Sequence, residues 1–400
     1  MSDPAQVQVV IVGAGPVGAT LALLLVRRAR LDPSQVLLVE PEPPRPRPAA
    51  APYDLRVSAI APGNRRLLQG LGVWQHLDPR RVAPYERMVV WHESTPPDSP
   101  DVLRFDAAQL GEADLGSIIE NIHLQGALLH HCAEAGIGIR ATAMTALSCD
   151  ASAARVTLGD ERIDAELVVG ADGAASAVRR MAGIAGAQHD YAQRGIVATI
   201  DTQDGHQATA WQRFLHTGPL ALLPLASGQV SIVWSAQDAT ADALLAMPAD
   251  QFNDALTQAS AGVLGRLRLA SSRAAFPLRR FTAERFASTR CALVGDAAHV
   301  IHPLAGQGVN EGLQDAVVLA DALAGRPARE SVGAAQALQR YARERRSGNA
   351  VTAALVDGLD RLFTGSGPLS AGLARTGMAW VARSRLAQRL FFTRAAALRT

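Results

Sequence analysis

Lysine is absent from this chain of 400 residues, so arginine supplies every basic side chain apart from histidine. This absence excludes a mechanism that needs a lysine Schiff base or a lysine acid. Cysteine is scarce too, since only Cys132, Cys149 and Cys291 occur and no two of them form a CxxC pair. The sequence therefore indicates neither a disulfide framework nor a zinc site, and it favours a reducing compartment.

The chain also lacks a charge excess and the features of a secreted or membrane-spanning protein. Its 39 basic and 37 acidic residues give a net charge of +2, which argues against a general nucleic-acid binder. Met1–Gln6 has no basic residue with which a signal peptide would start. Val7–Val26 is apolar enough to resemble a membrane span, but its glycines and Pro16 favour a strand, a turn and a helix. We expect a cytoplasmic protein, and 48% hydrophobic residues suffice for a large core in more than one domain.

A glycine-rich turn follows the first apolar strand, within Val9–Gly18. Gly13 permits the tight turn, Gly15 lets the backbone approach a pyrophosphate, and Gly18 lets the next helix pack closely on the sheet. The first N–H groups of that helix can bind phosphate. Glu40 ends a second apolar strand, where it can accept hydrogen bonds from an adenosine ribose. Together these features predict a dinucleotide site.

Two later strand ends also carry a glycine and an acid. Asp172 follows one strand within Gly170–Arg179, and Asp296 follows another within Gly295–His299. Ligands of open parallel sheets gather at the carboxyl ends of the strands, so all three turns can converge on one molecule. Asp296 could bind ribityl hydroxyls. Residues 306–308 open a helix whose N–H groups can face the N1 and C2 carbonyl of a flavin and stabilise the negative charge of its reduced ring.

The pattern along the chain predicts an α/β fold whose parallel sheet is interrupted. Antiparallel strands are expected between Gly195 and Ser235, and a buried strand in the style of the N-terminus returns at Ala292–Asp296. Helical patterns cover Asp54–Leu71, Ile118–Ala135 and Ala334–Asp360. The dinucleotide domain is therefore predicted to be discontinuous.

With these motifs the chain resembles the flavoprotein aromatic hydroxylases of the para-hydroxybenzoate hydroxylase fold. More narrowly, it resembles the ubiquinone-biosynthesis hydroxylases that act on polyprenylated phenols. The narrower likeness extends over nearly the whole chain and depends on Asp54–Ala59, Leu115–Asn121, Gly218–Leu225, Ser231–Ser235 and His302–Gly308. Two positions depart from the family pattern, which often has arginine in place of Ile122 and leucine in place of Glu311.

The resemblance implies an FAD-binding, Rossmann-like domain with a parallel sheet, an inserted antiparallel-sheet substrate domain and a C-terminal helical region. The implied divisions are 1–80, 107–186 and 281–330 for the FAD-binding domain, 81–106 and 187–280 for the substrate domain, and 331–400 for the helical region.

The same resemblance implies a set of cofactor residues. They are Gly13, Gly15, Gly18 and Glu40 for the ADP half of FAD, Arg56 and Gln125 for its phosphates and flavin side, Asp172 for the shape of the FAD and nicotinamide sites, and Asp296, Pro303, Gly306 and Gly308 for the flavin. No side chain is implied as a catalytic nucleophile, because oxygen activated on the flavin hydroxylates the ring. No metal is expected, since His130 and His131 share a helix that offers no matching acids.

The implied activity is the hydroxylation of a prenylated phenol in ubiquinone biosynthesis, with NAD(P)H and O2 as co-substrates. Other ubiquinone-biosynthesis proteins are implied as partners, whereas nucleic acid is not. Two alternatives stay open, namely a soluble hydroxylase of a small phenol in aromatic catabolism and a flavin-binding scaffold without turnover. A flavin halogenase would need a catalytic lysine, and the chain has none.

Several of these side chains also have a purely structural interpretation. Asp172 and Asp296 could be ordinary helix caps after strands, and Gln125 could face solvent from its helix. His299 and His302 could hydrogen-bond to backbone groups near the flavin turn, which we favour over an acid–base role.

The C-terminal segment Arg361–Thr400 has seven arginines and no acid, and apolar residues are interleaved with them. A basic amphipathic helix of this kind can lie on an anionic membrane, which would suit a water-insoluble substrate. The alternative is a terminal helix that packs on its own domain or on another subunit.

Overall fold

The computed structural model describes residues 5–45, 47–48, 51–300 and 308–346, which form three β-sheets with helices packed against them. The strands in chain order are β1 (Ala5–Val12), β2 (Val36–Val39), β3 (Val57–Ile60), β4 (Val82–Tyr85), β5 (Arg87–His92), β6 (Leu103–Asp106), β7 (Gly116–Glu120), β8 (Gly138–Arg140), β9 (Met144–Cys149), β10 (Ala154–Leu158), β11 (Glu161–Gly170), β12 (Gly186–Thr202), β13 (Thr209–Leu215), β14 (Gly218–Pro224), β15 (Val230–Gln237), β16 (Leu267–Leu269), β17 (Ala274–Ala283), β18 (Ala287–Ser288), β19 (Cys291–Leu293) and β20 (His299–Val300). The helices are α1 (Pro16–Arg27), α2 (Pro62–Gly70), α3 (Ala107–Leu110), α4 (Asn121–Glu134), α5 (Ala177–Met181), α6 (Asp238–Ala246), α7 (Ala249–Ala259) and α8 (Gly308–Ala324). Short 3₁₀ helices lie at Pro33–Gln35, Trp74–His76, Pro79–Arg81 and Gly295–Ala297.

The first sheet carries the glycine turn and has parallel strands in the order β19-β11-β1-β2-β8. Val9–Val12 is buried throughout, as expected for a parallel strand covered on both faces. The register pairs Val12 with Val39 and with Gly170, and it pairs Gly170 with Leu293. Strands β2, β1, β11 and β19 therefore end at one edge of the sheet, and the three predicted turns lie side by side there.

Helices α1, α4 and α8 pack with this sheet in one hydrophobic core. Leu21 and Leu24 of α1 are completely buried, and so are Leu128 of α4 and Leu319 of α8. The hydrophobic effect thus fixes α1 directly behind the glycine turn. This combination of helices and parallel strands confirms the predicted α/β class.

The second sheet has the order β20-β17-β12-β15-β14-β13-β5-β6, and β16 is paired with the far end of β12. Its neighbours are antiparallel except for β13 and β5. Leu220 and Leu222 of β14 share a core with Phe252 and Leu256 of α7. Because residues 87–106 and 186–283 both contribute strands, the chain leaves the parallel sheet twice to build this one.

The third sheet, β3-β7-β4, lies between the other two. Its Ile118 packs with Leu225, which follows β14 of the antiparallel sheet. Behind it, the guanidinium of Arg81 donates to the carboxylate of Glu120 through Nε at 2.6 Å and through Nη2 at 2.8 Å. Glu120 also accepts from the backbone N of Asp54 at 2.6 Å, and Arg81 donates to the carbonyl of Ala51 at 2.9 Å. This buried ion pair fixes the segment before β3 to the start of α4.

Two helices begin later than the sequence pattern predicts. Strand β3 and then α2 replace the expected helix Asp54–Leu71, and strand β7 and then α4 replace the expected helix Ile118–Ala135. The two starts pair with each other as antiparallel strands, with Ser58 opposite Ile119 and Ile60 opposite Ser117, and pairing across strands overrides the helical pattern. Pro62 at the first turn of α2 marks the true start of that helix.

The predicted C-terminal helical region is described only up to residue 346. A helix runs over 335–346, and the hydroxyl of its Tyr341 donates to the carbonyl of Leu293 in β19 at 2.6 Å. The rest of the predicted region, including the arginine-rich segment from Arg361 onward, lies outside the described residues. Within the described ranges, no helix is both long enough and apolar enough to cross a membrane.

Replacing Glu120 by glutamine should destabilise the protein by about 3–5 kcal/mol, because buried Arg81 loses its carboxylate partner. Urea unfolding at neutral pH measures this loss. The matched control is Arg80→Gln, which removes a neighbouring arginine that is 75% exposed and pairs with Asp78 at the surface. We expect no measurable change in the control, and equal unfolding midpoints for both variants would contradict the importance of the buried pair.

Candidate functional site

The turn after β1 has the backbone that a dinucleotide phosphate requires. Gly13 adopts a φ of +97°, and a Cβ there would overlap the carbonyl of Ala171, so only glycine fits between the two strand ends. A Cβ on Gly18 would overlap the carbonyl of Gly13, which explains how closely α1 approaches the turn. At Gly15, by contrast, a Cβ would meet nothing within 4 Å. The backbone at Gly15 therefore faces open space at the N-terminus of α1, where no side chain caps the helix.

Glu40 and Gln125 both hydrogen-bond to the backbone of Ala14 in this turn. The backbone N of Ala14 donates to Oε2 of Glu40 at 3.0 Å, and Nε2 of Gln125 donates to the carbonyl of Ala14 at 3.1 Å. Gln125 is half-buried, so the interpretation that it faces solvent is wrong. Glu40 is also half-buried at the end of β2 and keeps carboxylate lone pairs available for a ribose.

Asp172 lies next to Gly13, but its carboxylate is used inside the protein. One oxygen accepts from the hydroxyl of Ser176 at 2.5 Å, and the other accepts from the backbone N of Ala177 and Val178 at 2.6 and 3.1 Å. These bonds cap α5. The geometry therefore favours the interpretation of Asp172 as a helix cap. Asp172 shapes the second turn, and it affects a ligand through that shape.

Asp296, at the third turn, is arranged differently. Its side chain is exposed to solvent, but it is also surrounded by protein that displaces water. This desolvation raises the pKa of Asp296, and the charges of His299 and Arg56 offset part of the rise. It accepts no hydrogen bond from the described residues. A Cβ placed on Gly308 would lie 3.9 Å from Oδ1 of Asp296, so the first residue of α8 borders the same space. An accessible carboxylate that is surrounded by protein and has no protein donor suits the hydroxyls of a ligand.

Arg179 ties the second turn to the third. Its Nη1 donates to the carbonyl of Ala297 at 2.8 Å, and its Nη2 donates to the carbonyl of Ala174 at 2.8 Å. The guanidinium also lies 4.1 Å from the ring centroid of Phe281, in a cation–π contact. Burial lowers the pKa of Arg179.

A buried group of charged side chains holds the third turn in place. Asp315 of α8 accepts from the backbone N of Gly295 at 2.8 Å and contacts Nε2 of His299 at 2.7 Å, and its other oxygen pairs with Arg345. Burial alone would lower the pKa of His299, but the charge and hydrogen bond of Asp315 outweigh it and raise that pKa. Burial likewise acts to raise the pKa of Asp315, and His299 and Arg345 together hold it below the ordinary value. His299 is buried as the structural interpretation requires, but its partner is the carboxylate of Asp315, not the backbone groups that were predicted.

The first turn of α8 is anchored by Asn310 and Glu311. Oδ1 of Asn310 accepts from the backbone N of Ala61 and from Nδ2 of Asn64, both at 2.9 Å, and its Nδ2 donates to the carbonyl of Ala59 at 2.7 Å. Glu311, which departs from the family pattern, pairs with Arg345 at 2.8 Å. The unusual acid at this position thus has a partner on the C-terminal helix.

The described site residues form two adjoining groups. Gly13, Gly15, Gly18, Glu40 and Gln125 meet around the first turn, with Asp172 behind it. Arg56, Asp296 and Gly308 meet around the third turn. Pro303, Gly306 and His302 lie outside the described residues.

This arrangement fits FAD. The open backbone at Gly15 beside an uncapped helix end suits a pyrophosphate, and the carboxylate of Glu40 suits a ribose. The carboxylate of Asp296, which is accessible and accepts no hydrogen bond from the described part of the chain, suits the polar chain that leads to a flavin. Among the site residues that the structure describes, no side chain is placed as a nucleophile activated by a neighbouring base, so the chemistry that they support belongs to the cofactor.

Comparisons with known proteins agree with this geometry. The family model described as an FAD binding domain matches residues 6–357. The ubiquinone hydroxylase UbiL of Rhodospirillum rubrum is 36% identical over 391 residues, which cover 97% of this chain and 89% of the relative. The 3-demethoxyubiquinol 3-hydroxylase of Escherichia coli is 36% identical over 362 residues, which cover 90% of this chain and 89% of the relative. The crystal structure of the p-nitrophenol 4-monooxygenase PnpA of Pseudomonas putida matches with a TM-score of 0.75 at 18% identity, covering 99% of this chain and all of that one, and it shows the fold alone.

Replacing Asp315 by asparagine should weaken FAD binding by about tenfold or more, which corresponds to about 1.4 kcal/mol. The variant leaves buried Arg345 and His299 without their common counter-charge beneath Gly295. Titration of the apoprotein with FAD, followed by flavin fluorescence, measures the dissociation constant.

Asp321→Asn is the matched control, because Asp321 lies on the same helix and pairs with Arg28 at the surface. We expect the control to bind FAD as the unmodified protein does. Wild-type affinity in Asp315→Asn would show that the buried charges do not organise the third turn.

Proposed function

The chain belongs to the FAD binding domain family, and from that premise we propose that it is a monooxygenase that uses FAD, NAD(P)H and O2 to hydroxylate the aromatic ring of a prenylated phenol in ubiquinone biosynthesis. The convergence of three strand-end turns at one sheet edge is the observation that carries the assignment to a flavoenzyme. The names of the relatives from R. rubrum and E. coli, which match most of this chain, support the substrate class.

We assign the first turn to the ADP half of FAD. Gly13 and Gly18 give the turn its shape, Gly15 admits the pyrophosphate, and Glu40 binds the ribose. Gln125 holds the carbonyl of Ala14 and so keeps the neighbouring N–H groups aimed at the phosphates. Asp172 acts on the same region indirectly, by fixing the start of α5 beside the turn.

We assign the third turn to the flavin end. Asp296 and Arg56 lie close enough for their charges to interact, and they offer a carboxylate for hydroxyls and a guanidinium for anionic oxygens. Gly308 starts α8, whose positive end would face the ring, and we place Pro303 and Gly306 in the same wall. When bound, FAD would supply the redox chemistry, in which NAD(P)H provides two electrons, one oxygen atom of O2 goes to the phenol and the other leaves as water.

The protein contributes binding, orientation and exclusion of water. Asp315 and His299 keep the third turn in one position, and the antiparallel sheet supplies the wall opposite the flavin. The sequence has one GxGxxG fingerprint, so we infer that NAD(P)H visits the FAD domain transiently and has no domain of its own.

The activity is tested with FAD-loaded protein, NADH or NADPH, and two classes of phenol. We expect coupled oxidation of the nicotinamide and a hydroxylated product with a short-chain prenylphenol, and no product with simple hydroxybenzoates. Product from hydroxybenzoates alone would identify a soluble catabolic hydroxylase instead, and flavin binding without product from either class would identify a scaffold.

Gly15→Ala serves as the negative control in this assay. Its new Cβ meets no protein atom within 4 Å, so the variant should fold normally, but the methyl group occupies the space through which a phosphate approaches. We expect loss of both FAD and activity with an unchanged melting temperature of the apoprotein.

We further propose that the arginine-rich segment from Arg361 binds an anionic membrane, where a prenylated substrate would be found. Its composition supports this proposal, with seven arginines, no acid and interleaved apolar residues. The alternative is that this segment packs on its own domain or on another subunit.

A chain that ends at Gly365 should lose co-sedimentation with vesicles that contain anionic lipid, while the full chain retains it. Added salt should weaken binding of the full chain, because screening reduces its attraction to anionic headgroups. Retained FAD content shows that the shortened protein is folded. Equal co-sedimentation of the two chains would assign the segment to a protein contact.

A further inference from the structure

Three histidines and one glutamate meet on the protein surface, away from the strand-end turns. His130, His131 and Glu134 lie in the last turn of α4, and His76 ends the 3₁₀ helix that follows α2. The ligand atoms of His76, His131 and Glu134 all lie within 4.8 Å of one another. The expectation that His130 and His131 have no matching acid is therefore wrong, because Glu134 is one turn further along the same helix.

The spacing of these atoms resembles the edge of a metal coordination sphere. Oε2 of Glu134 lies 3.5 Å from Nε2 of His76 and 3.4 Å from Nδ1 of His131. Two ligands bound tetrahedrally to zinc at about 2.0–2.1 Å are separated by about 3.4 Å. Two of the three distances between ligand atoms thus already match those around a zinc ion. A small rotation of the imidazole rings would bring the third distance to the same length.

His130 is available as an additional ligand. Its Nε2 lies 3.3 Å from Oε1 of Glu134, and its ring centroid lies 5.1 Å from that of His76. The side chain is 61% exposed and can move toward the other three. The other two histidines are more buried, since the side chain of His76 is 21% and that of His131 24% exposed.

The fold holds two of these rings in place. Gly72, with a φ of +82°, lies against Nε2 of His131, which leaves Nδ1 of that ring facing Glu134. The rings of His76 and His131 are 5.2 Å apart, so the short helix and the end of α4 are already in contact. The two segments come from different parts of the chain, and an ion between them would act as a cross-link.

We propose that His76, His131 and Glu134 form a binding site for a divalent transition-metal ion of the zinc class, with His130 or water as the fourth ligand. Imidazole nitrogens favour zinc, copper and nickel over magnesium and calcium, which take oxygen ligands. The ion joins the end of α4 to the segment after α2, and α4 carries Gln125, which holds the glycine turn. The site therefore stabilises the helix that supports the cofactor loop, without taking part in hydroxylation.

The test uses the full-length, FAD-loaded protein without a histidine tag, dialysed first against a chelator and then against Zn²⁺. Metal analysis should find one tightly bound zinc ion per chain, and the melting temperature should rise with Zn²⁺ because the ion binds only the folded state. An excess of Mg²⁺ should not compete. His131→Asn should weaken Zn²⁺ binding by about 100-fold, judged against the 10–100-fold losses seen when supporting groups of metal sites are removed.

The matched control is His216→Asn, which removes another histidine paired with a glutamate, at 3.0 Å from Glu93. Zinc affinity should be unchanged in this variant. The melting temperature of His131→Asn, measured without metal, shows whether this variant is folded. Absence of bound zinc, or equal affinity in the His131 and His216 variants, would overturn the proposal. Metal binding is measured independently of hydroxylation, so either hypothesis can fail alone.

Discussion

The register of the parallel strands is the constraint on which the cofactor site depends. Pairing of Val12 with Gly170, and of Gly170 with Leu293, brings the ends of β1, β11 and β19 to one edge. Three turns that are far apart in sequence then become neighbours without needing contacts of their own. A slip of one residue in any pair would move every side chain of that strand to the opposite face of the sheet, so the packed core on both faces enforces this alignment.

A few buried charged side chains lie within this apolar framework. Each of them is beside a loop whose conformation the sheets alone do not determine. Glu120 and Arg81 fix the segment before β3, and Asp315 fixes the turn after β19. In both cases a carboxylate accepts a backbone N–H and an arginine together, so the loop and its support are ordered in a single network. Buried pairs of this kind contribute little net stability, and their value here lies in specifying one loop conformation.

The sequence alone predicts the glycine turn and the buried strands beside it, because those features are local. Each glycine has a function that its immediate neighbours reveal, and each buried strand is a short apolar run. The starts of α2 and α4 were not predictable in this way, since β3 and β7 owe their conformation to each other. Arg56 and Gln125 were found only through family resemblance. Asp315, Arg345, Asn310 and His76 escaped prediction altogether, because their importance comes from partners that are remote in the chain.

Arg345 adds a link of charge between two helices that already share the hydrophobic core. It lies on the helix over 335–346 and pairs with both Asp315 and Glu311, which belong to the helix that begins at the third turn. A displacement of the C-terminal helix must therefore either break these pairs or carry the turn with it. Thermodynamic coupling is reciprocal, so a ligand whose binding displaces this helix would change the affinity for a nucleotide at the third turn, and the nucleotide would change the affinity for that ligand by the same factor.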